Sequence, residues 1–456
     1  MADPHAFIDD RMSRFRDELF DFLRIPSVSA KSNRDDDTRG AAGWLADRMR
    51  EAGLDAEVID TPGHPVVLGE WRGAGEDAPT VLVYGHYDVQ PPEPLDEWTA
   101  PAFEPEVRDE RIYARGSADD KGQLFMHVKA LEALLDDGGS LPVNVVVLAE
   151  GEEEVGSPSL VPFVEAHAER LACDAVVVSD SAMFAPGQPS LLFSLRGLAY
   201  FEIHVRSARS DLHSGAYGGA VPNPATQLAR ILATLHDDRG HIAVEGFYDD
   251  VMEWDEETRA RIRELPFDED DFRDGVGAPA LDGEEGYSVL ERLWIRPTCE
   301  VNGMLSGYTG EGAKTVLPAR SMAKVSCRLV PHQHPDRIEE LFRAHLEKVA
   351  PAGVEWELEV HHGGNPWKAD PSGPLFEAAG RALERSFGTE PVLVGEGGSI
   401  PIVGEFERIL EAPVLLVGFA LPGCNMHAPD EWLGLHEFEN GIHALAHLWE
   451  ELGKVL

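Results

Sequence analysis

The sequence predicts an α/β fold, a sheet covered by helices on both faces, interrupted by an inserted α+β domain. Three observations lead there. Continuous apolar runs of strand length at 81–84, 143–148 and 175–178 alternate with helical patterns, as strands buried on both faces do. From about Leu198 the texture changes to alternating strands at 200–205 and 323–329, with helices at 224–236 and 336–349. After Gly364 the βα texture returns, so residues 1–197 and 364–456 form one domain and residues 198–363 are inserted into it. The 456 residues are enough for each part to bury a core of its own.

Each element has its own reason. Phe7, Phe15, Leu19, Phe22 and Leu23 fall at mostly helical spacing and predict an amphipathic opening helix, which Pro26 ends by disfavouring helix at Ile25. A second helix over 41–52 stops at Gly53, and helices over 123–135 and 159–170 separate the three buried strands. The acidic stretch 249–286, punctuated by Gly and Pro, reads as a helix plus an ordered loop excursion. Strands at 392–394 and 414–417 and a closing helix over 437–452 complete the chain. No internal repeat of 20 to 50 residues is visible.

Composition excludes several classes of function. With 39 Lys+Arg against 82 Asp+Glu, a formal charge of −43 repels phosphate at long range, so neither nucleic acid nor an anionic membrane is an expected partner. The acidic residues spread along the whole chain and read as a solvated surface. Cys173, Cys299, Cys327 and Cys424 form no CxxC pair, which fits a reducing compartment. The N-terminus lacks the basic and apolar blocks of a signal peptide and no apolar run approaches the ~20 residues of a membrane span. The expectation is a soluble, cytoplasmic protein.

The chemistry gathers at predicted strand ends. Gly85-His86-Tyr87-Asp88 follows the first buried run, where open α/β sheets put their ligand sites, and a carboxylate near a metal-bound imidazole can hold its other nitrogen. Asp119-Asp120 opens the next helix, where adjacent aspartates also serve as a plain cap. Glu150-Gly151-Glu152-Glu153-Glu154 follows the second buried run and Ser179-Asp180-Ser181 the third, with a late histidine in Asn425-Met426-His427-Ala428. Carboxylates crowded at one sheet edge repel each other unless cations or protons intervene, and two metals sharing a bridging carboxylate would use this set in full. Competing motifs fail: there is no HExxH, Ala313 follows Gly312 where a phosphate loop needs lysine, and Pro401 replaces the last glycine of a GxSxG elbow.

On these blocks, together with Ala114-Arg115-Gly116-Ser117-Ala118, Asp211-Leu212-His213-Ser214-Gly215 and Gly312-Ala313-Lys314-Thr315-Val316-Leu317-Pro318, the sequence resembles the aminoacylase and carnosinase family of di-zinc exopeptidases over nearly its whole length. The nearest branch is that of the cytosolic nonspecific dipeptidases. The resemblance implies a catalytic domain with a mixed sheet, interrupted by a lid and dimerisation domain. It also implies two divalent ions per subunit, Zn²⁺ first, with Mn²⁺ or Co²⁺ fitting the same donors. His86 and Asp180 would bind one ion, Glu154 and His427 the other, and Asp119 would bridge them, with the bond between Asp119 and Asp120 cis. Asp88 would orient His86, and Glu153 would be the general base that takes a proton from a bridging water. His213 would reach across a homodimer to polarise the scissile carbonyl, while Arg328, Thr315, Asn302 and Ser399 would bind the substrate's carboxylate and backbone. The expected substrate is a dipeptide or short peptide; the alternative is an N-acyl amino acid amidohydrolase of the desuccinylase kind using the same metal site.

Overall fold

The computed structural model describes residues 3–361, 363–398 and 400–456. The chain divides into two compact units, one of residues up to Phe193 with Ala369–Val394 and Ile402–Leu456, the other of Ser194–Lys368 with Gly395–Pro401.

The first unit is built on a mixed sheet. Its strands run in the spatial order Asp55–Ile59, Val66–Trp71, Asn144–Glu150, Thr80–His86, Ala175–Val178, Val414–Leu416 and Ser190–Leu195. The central four are parallel, with His86 level with Glu150 and Tyr84 with Val178, so three carboxyl ends open on one edge. All seven residues of Thr80–His86 and of Asn144–Glu150 are buried, which is why both read as continuous apolar runs. Helix Pro4–Leu23 begins at Asp3, whose carboxylate accepts the His5 N–H with Pro4 in the first turn, and it buries Phe7, Ile8, Phe15, Leu19, Phe22 and Leu23. A three-stranded sheet of Glu106–Arg108, Arg111–Tyr113 and Trp432–Gly434 ties the end of the chain to the segment before Asp119.

The second unit carries an antiparallel sheet in the order Thr298–Ser306, Arg320–Leu329, Gly197–Arg206 and Glu355–Val360. Gly197–Arg206 and Arg320–Leu329 alternate buried and half-buried residues. Phe201, Ile203, Val205, Ala323 and Val325 pack with Leu228 and Ile231 of helix Pro224–Leu232 and with Ile338, Phe342 and Leu346 of helix Pro335–Val349.

Several elements depart from the sequence expectation. The helix expected over 159–170 is two helices, Leu160–Ala166 and Ala168–Leu171, because the His167 ring stacks on Phe163 and its Nδ1 meets the Phe163 carbonyl at 2.9 Å. In the acidic stretch there are two helices rather than one, Glu256–Glu264 and Glu269–Gly275, begun by the carboxylates of Asp255 and Asp268. Strand Glu355–Val360 went unread because it lies at the sheet edge with only Leu358 buried. No helix among the described residues is long and apolar enough to cross a membrane.

Candidate metal centre

The three parallel carboxyl ends place His86, the 150–154 segment and Asp180 side by side. The turn before helix Lys121–Leu135 brings in Asp119, whose peptide bond to Asp120 is cis. Asp119 is the common member. Its Oδ1 lies 3.0 Å from His86 Nε2 and its Oδ2 lies 2.9 Å from His427 Nε2. Asp180 Oδ2 is 3.9 Å from His86 Nε2, and Glu154 Oε2 is 3.4 Å from His427 Nε2. Two donor sets result, His86 with Asp119 and Asp180, and Asp119 with Glu154 and His427, each with its donor atoms within 4.8 Å of one another. The set fits borderline divalent cations, because imidazole nitrogen and carboxylate oxygen are their usual ligands.

The electrostatics point the same way. Burial, with Asp119 nearby, pushes the Glu154 carboxyl up to about 9, and burial with Asp180 and Asp119 nearby pushes Glu153 up to about 8. Asp180 rises to about 6 through burial and the neighbouring Asp119. Asp119 goes down instead: the bonds from His427 and His86 outweigh its burial. Burial opposes the charge of His86, yet its contacts with Asp119 and Asp88 raise its pKa well above the usual value. Without cations, protons must relieve the repulsion among these carboxylates, and cations of charge +2 would take the place of those protons.

The acidic run sorts itself by contact. Glu150 accepts from the Tyr84 hydroxyl at 2.6 Å and the Ser157 hydroxyl at 2.8 Å, and Glu152 accepts from the His64 and Ser159 amides, so both hold backbone and strand ends together. Glu153 belongs to neither donor set, although its electrostatic neighbours are His86, Asp180 and Asp119. Asp88 is fully buried; its carboxylate sits 3.4 Å from His86 Nδ1 and accepts the amides of Glu153 and Glu154. It therefore links the imidazole to the segment carrying both glutamates.

Two supporting residues were not foreseen. Glu431, completely buried, accepts from Arg115 Nη1 at 2.7 Å and from the backbone amides of Gly116, Ala118 and Asp119. Gln90 donates to Glu154 Oε2 at 2.7 Å through its side chain and to Oε1 at 3.1 Å through its amide. Neither sits at a strand end in a recognisable block. A glutamate four residues after His427 was the one available hint for Glu431.

Residues 82–451 match the profile of Peptidase family M20/M25/M40. The chain belongs to this family. Among its M20 relatives, the Cys-Gly metallodipeptidase of Schizosaccharomyces pombe is 32% identical, over 99% of this chain and 98% of its own. The human Beta-Ala-His dipeptidase is 30% identical over 97% of this chain and 86% of its own. A solved M20 metallo-carboxypeptidase from Sulfolobus solfataricus superposes with a TM-score of 0.86 at 34% identity, covering 96% of this chain and 98% of that one. This M20 chain is a metal-dependent hydrolase of peptide bonds.

The remaining site candidates of the M20 chain lie in its second unit. Strand Leu212–His213 pairs with Val316–Leu317, and the Ser214 amide donates to the Thr315 carbonyl at 3.1 Å, so His213 and Thr315 are neighbours. His213 is exposed, and its Nδ1 accepts the Gly215 amide at 3.1 Å, which leaves the ring proton on Nε2. Arg328 is half-buried on Arg320–Leu329, and burial lowers its pKa while nearby Glu396 opposes that. Asn302 is exposed where the adjacent strand bulges between Val301 and Gly303. Ser399 lies outside the described residues. Sequence reasoning missed Arg196, whose Nε donates to the Gly397 carbonyl at 3.1 Å and whose pKa is lowered to about 10 by burial and by Arg328.

Proposed function

We propose that two divalent cations, Zn²⁺ in the first place with Mn²⁺ or Co²⁺ fitting the same donors, bind this centre and that it hydrolyses dipeptides and other short peptides. His86 and Asp180 would hold one ion, Glu154 and His427 the other, and Asp119 would serve both. The observation that carries this reading is the facing of the two Asp119 oxygens to two different imidazoles, at 3.0 and 2.9 Å. Bound there, the ions would polarise the scissile carbonyl and make water acidic enough to yield hydroxide near pH 7.

The chain's own residues do the rest. Glu153, beside the donor sets but in neither, takes a proton from the attacking water and hands it to the departing amine, which leaves poorly as an anion. Asp88 fixes the orientation and tautomer of His86. His213 offers Nε2–H to the oxyanion. Arg328, with Arg196 near it, holds the free carboxylate of the substrate, and Thr315, Asn302 and Ser399 meet its backbone. The second unit is the dimerisation unit of a cytoplasmic homodimer in which His213 serves the partner's centre. The charge of −43 supports peptide rather than nucleic acid as the substrate.

Two experiments test this. Glu153→Ala keeps both metals by elemental analysis and loses turnover by about 10²- to 10⁴-fold, the usual contribution of a general base; substantial remaining activity removes Glu153 from that role. Chelator-stripped enzyme resupplied with Zn²⁺ or Mn²⁺ cleaves Ala-Ala, Gly-Leu or β-Ala-His and leaves N-acetyl-Met intact. Cleavage of N-acetyl-Met alone would replace the dipeptidase reading with the amidohydrolase one.

A further inference from the structure

Away from the dinuclear centre, the closing helix Leu435–Leu452 carries His443, His447 and Glu450 at i, i+4 and i+7, on one face. His5, in the first turn of helix Pro4–Leu23, lies against that face, its ring centroid 3.8 Å from that of His447. We propose that His5, His447 and Glu450 form a further metal site of the first unit, for a divalent transition cation of the Zn²⁺ type, which staples the opening helix to the closing one. One donor atom from each lies within 4.8 Å of the other two, and His447 Nδ1 is 3.7 Å from Glu450 Oε2. None of the three belongs to the centre described above.

The hydrogen bonds assign the ring protons in a way that points to a ligand. His443 Nε2 lies 3.1 Å from the exposed carboxylate of Asp9, an acceptor only, so in its neutral form His443 carries its proton on Nε2 and offers Nδ1 as a lone pair. That lone pair is 2.8 Å from His5 Nδ1, which in this arrangement is the protonated nitrogen of His5. The free lone pair of His5 is then on Nε2, and this atom is buried without a hydrogen-bond partner. His447, only 9% exposed, likewise has a buried Nδ1 without one. Two buried ring nitrogens without a hydrogen-bond partner, in a group whose donor atoms lie within 4.8 Å of one another, are what a cation would satisfy.

The relay from Asp9 through His443 to His5 is the kind of outer support that orients metal-binding imidazoles. Burial, with His443 beside it, pulls the His5 pKa down, and burial with His5 beside it pulls His447 down to about 4. Burial thus favours the neutral imidazole at both rings, the form that binds metal. Glu450 adds the anionic ligand, and a water completes the usual four-coordinate set. One cation competes: Arg385 Nη1 lies 3.1 Å from Glu450 Oε2, but it also lies 3.6 Å from Glu451 Oε1, so Glu450 can turn to a metal without leaving Arg385 unpaired.

The test compares wild type, His447→Ala and His5→Gln. Each is stripped with chelator, equilibrated with Zn²⁺, freed of loose metal by gel filtration and analysed for zinc per chain. Each variant is expected to hold about one equivalent less than wild type, with dipeptidase activity unchanged and a smaller Zn²⁺-induced rise in Tm. Equal zinc content in all three overturns the site. Should the more buried His447→Ala fail to fold, His5→Gln, on the half-exposed first turn, decides alone, and the difference reads the same whatever number of ions the dinuclear centre retains.

Discussion

At the scale of single residues, most ligand candidates were legible because they sit in short blocks at the ends of elements, His86 as the last residue of a buried strand, Asp180 just after one and Asp119 before a helix. The residues that hold them were not, because their contacts span the chain. Glu431 meets Asp119 from 312 positions away and Gln90 meets Glu154 from 64. Spacing rules reach only within one element. Glu431→Gln puts an amide donor against three backbone donors and a guanidinium, so the turn carrying Asp119 loses its anchor. Metal affinity or turnover is expected to fall by about 10- to 100-fold, as for other residues that support a ligand from behind. A competition titration with a chromophoric chelator measures it, and wild-type affinity in the variant would deny Glu431 that function.

At the scale of elements, the buried strands written as long runs of valine and leucine were readable, while Ser190–Leu195, buried throughout but bounded and interrupted by serines, the exposed edge strand Glu355–Val360 and the interrupted helix around His167 were not. Edge strands lack the apolar run, and the break at His167 depends on one side chain bonding a carbonyl rather than on any helix-breaking residue. Helix Lys121–Leu135 supports two predictions. A methyl group on Gly122 would stand 2.0 Å from the Ser117 carbonyl oxygen, inside the turn that presents Asp119. Gly122→Ala must shift backbone to relieve that contact, at a cost of about 1 to 3 kcal/mol or more; a lowered Tm with weaker metal retention is the expected pair of results.

The second prediction concerns His127 in the same helix, fully buried, whose pKa burial drives down to about 3. Its Nε2 meets the Ser179 hydroxyl at 2.8 Å. Below the ordinary histidine value the unfolded chain takes up a proton that the folded chain refuses, so His127 removes stability as pH falls from about 6.5 toward 3. His127→Gln keeps a hydrogen-bonding side chain and does not titrate. Its stability should fall off less steeply than that of wild type over this window, by up to several kcal/mol at the acid end. Parallel denaturation curves at pH 7 and pH 4 decide it: an equal loss in both proteins would show that His127 is not the group responsible.

At the scale of the whole molecule, the proposed chemistry is divided between the two units. The ligand candidates, Asp88 and Glu153 belong to the first, and His213, Thr315, Asn302 and Arg328 to the second. If His213 works on the partner's centre, a complete site needs Glu153 from one subunit and His213 from the other. His213→Ala and Glu153→Ala are then each inactive as homodimers, for different reasons. In a mixed dimer, the subunit carrying His213→Ala keeps its own Glu153 and receives an intact His213 from its partner, so one of the two sites is whole. Random reassortment makes about half of the dimers mixed, and so restores about a quarter of the wild-type activity. The measurement is activity after co-unfolding and refolding the two variants at equal concentration, with each refolded alone as the control. Within a self-sufficient subunit no mixing can join the two intact residues, so activity staying at the level of the separate variants would assign His213 to its own chain's site or to none.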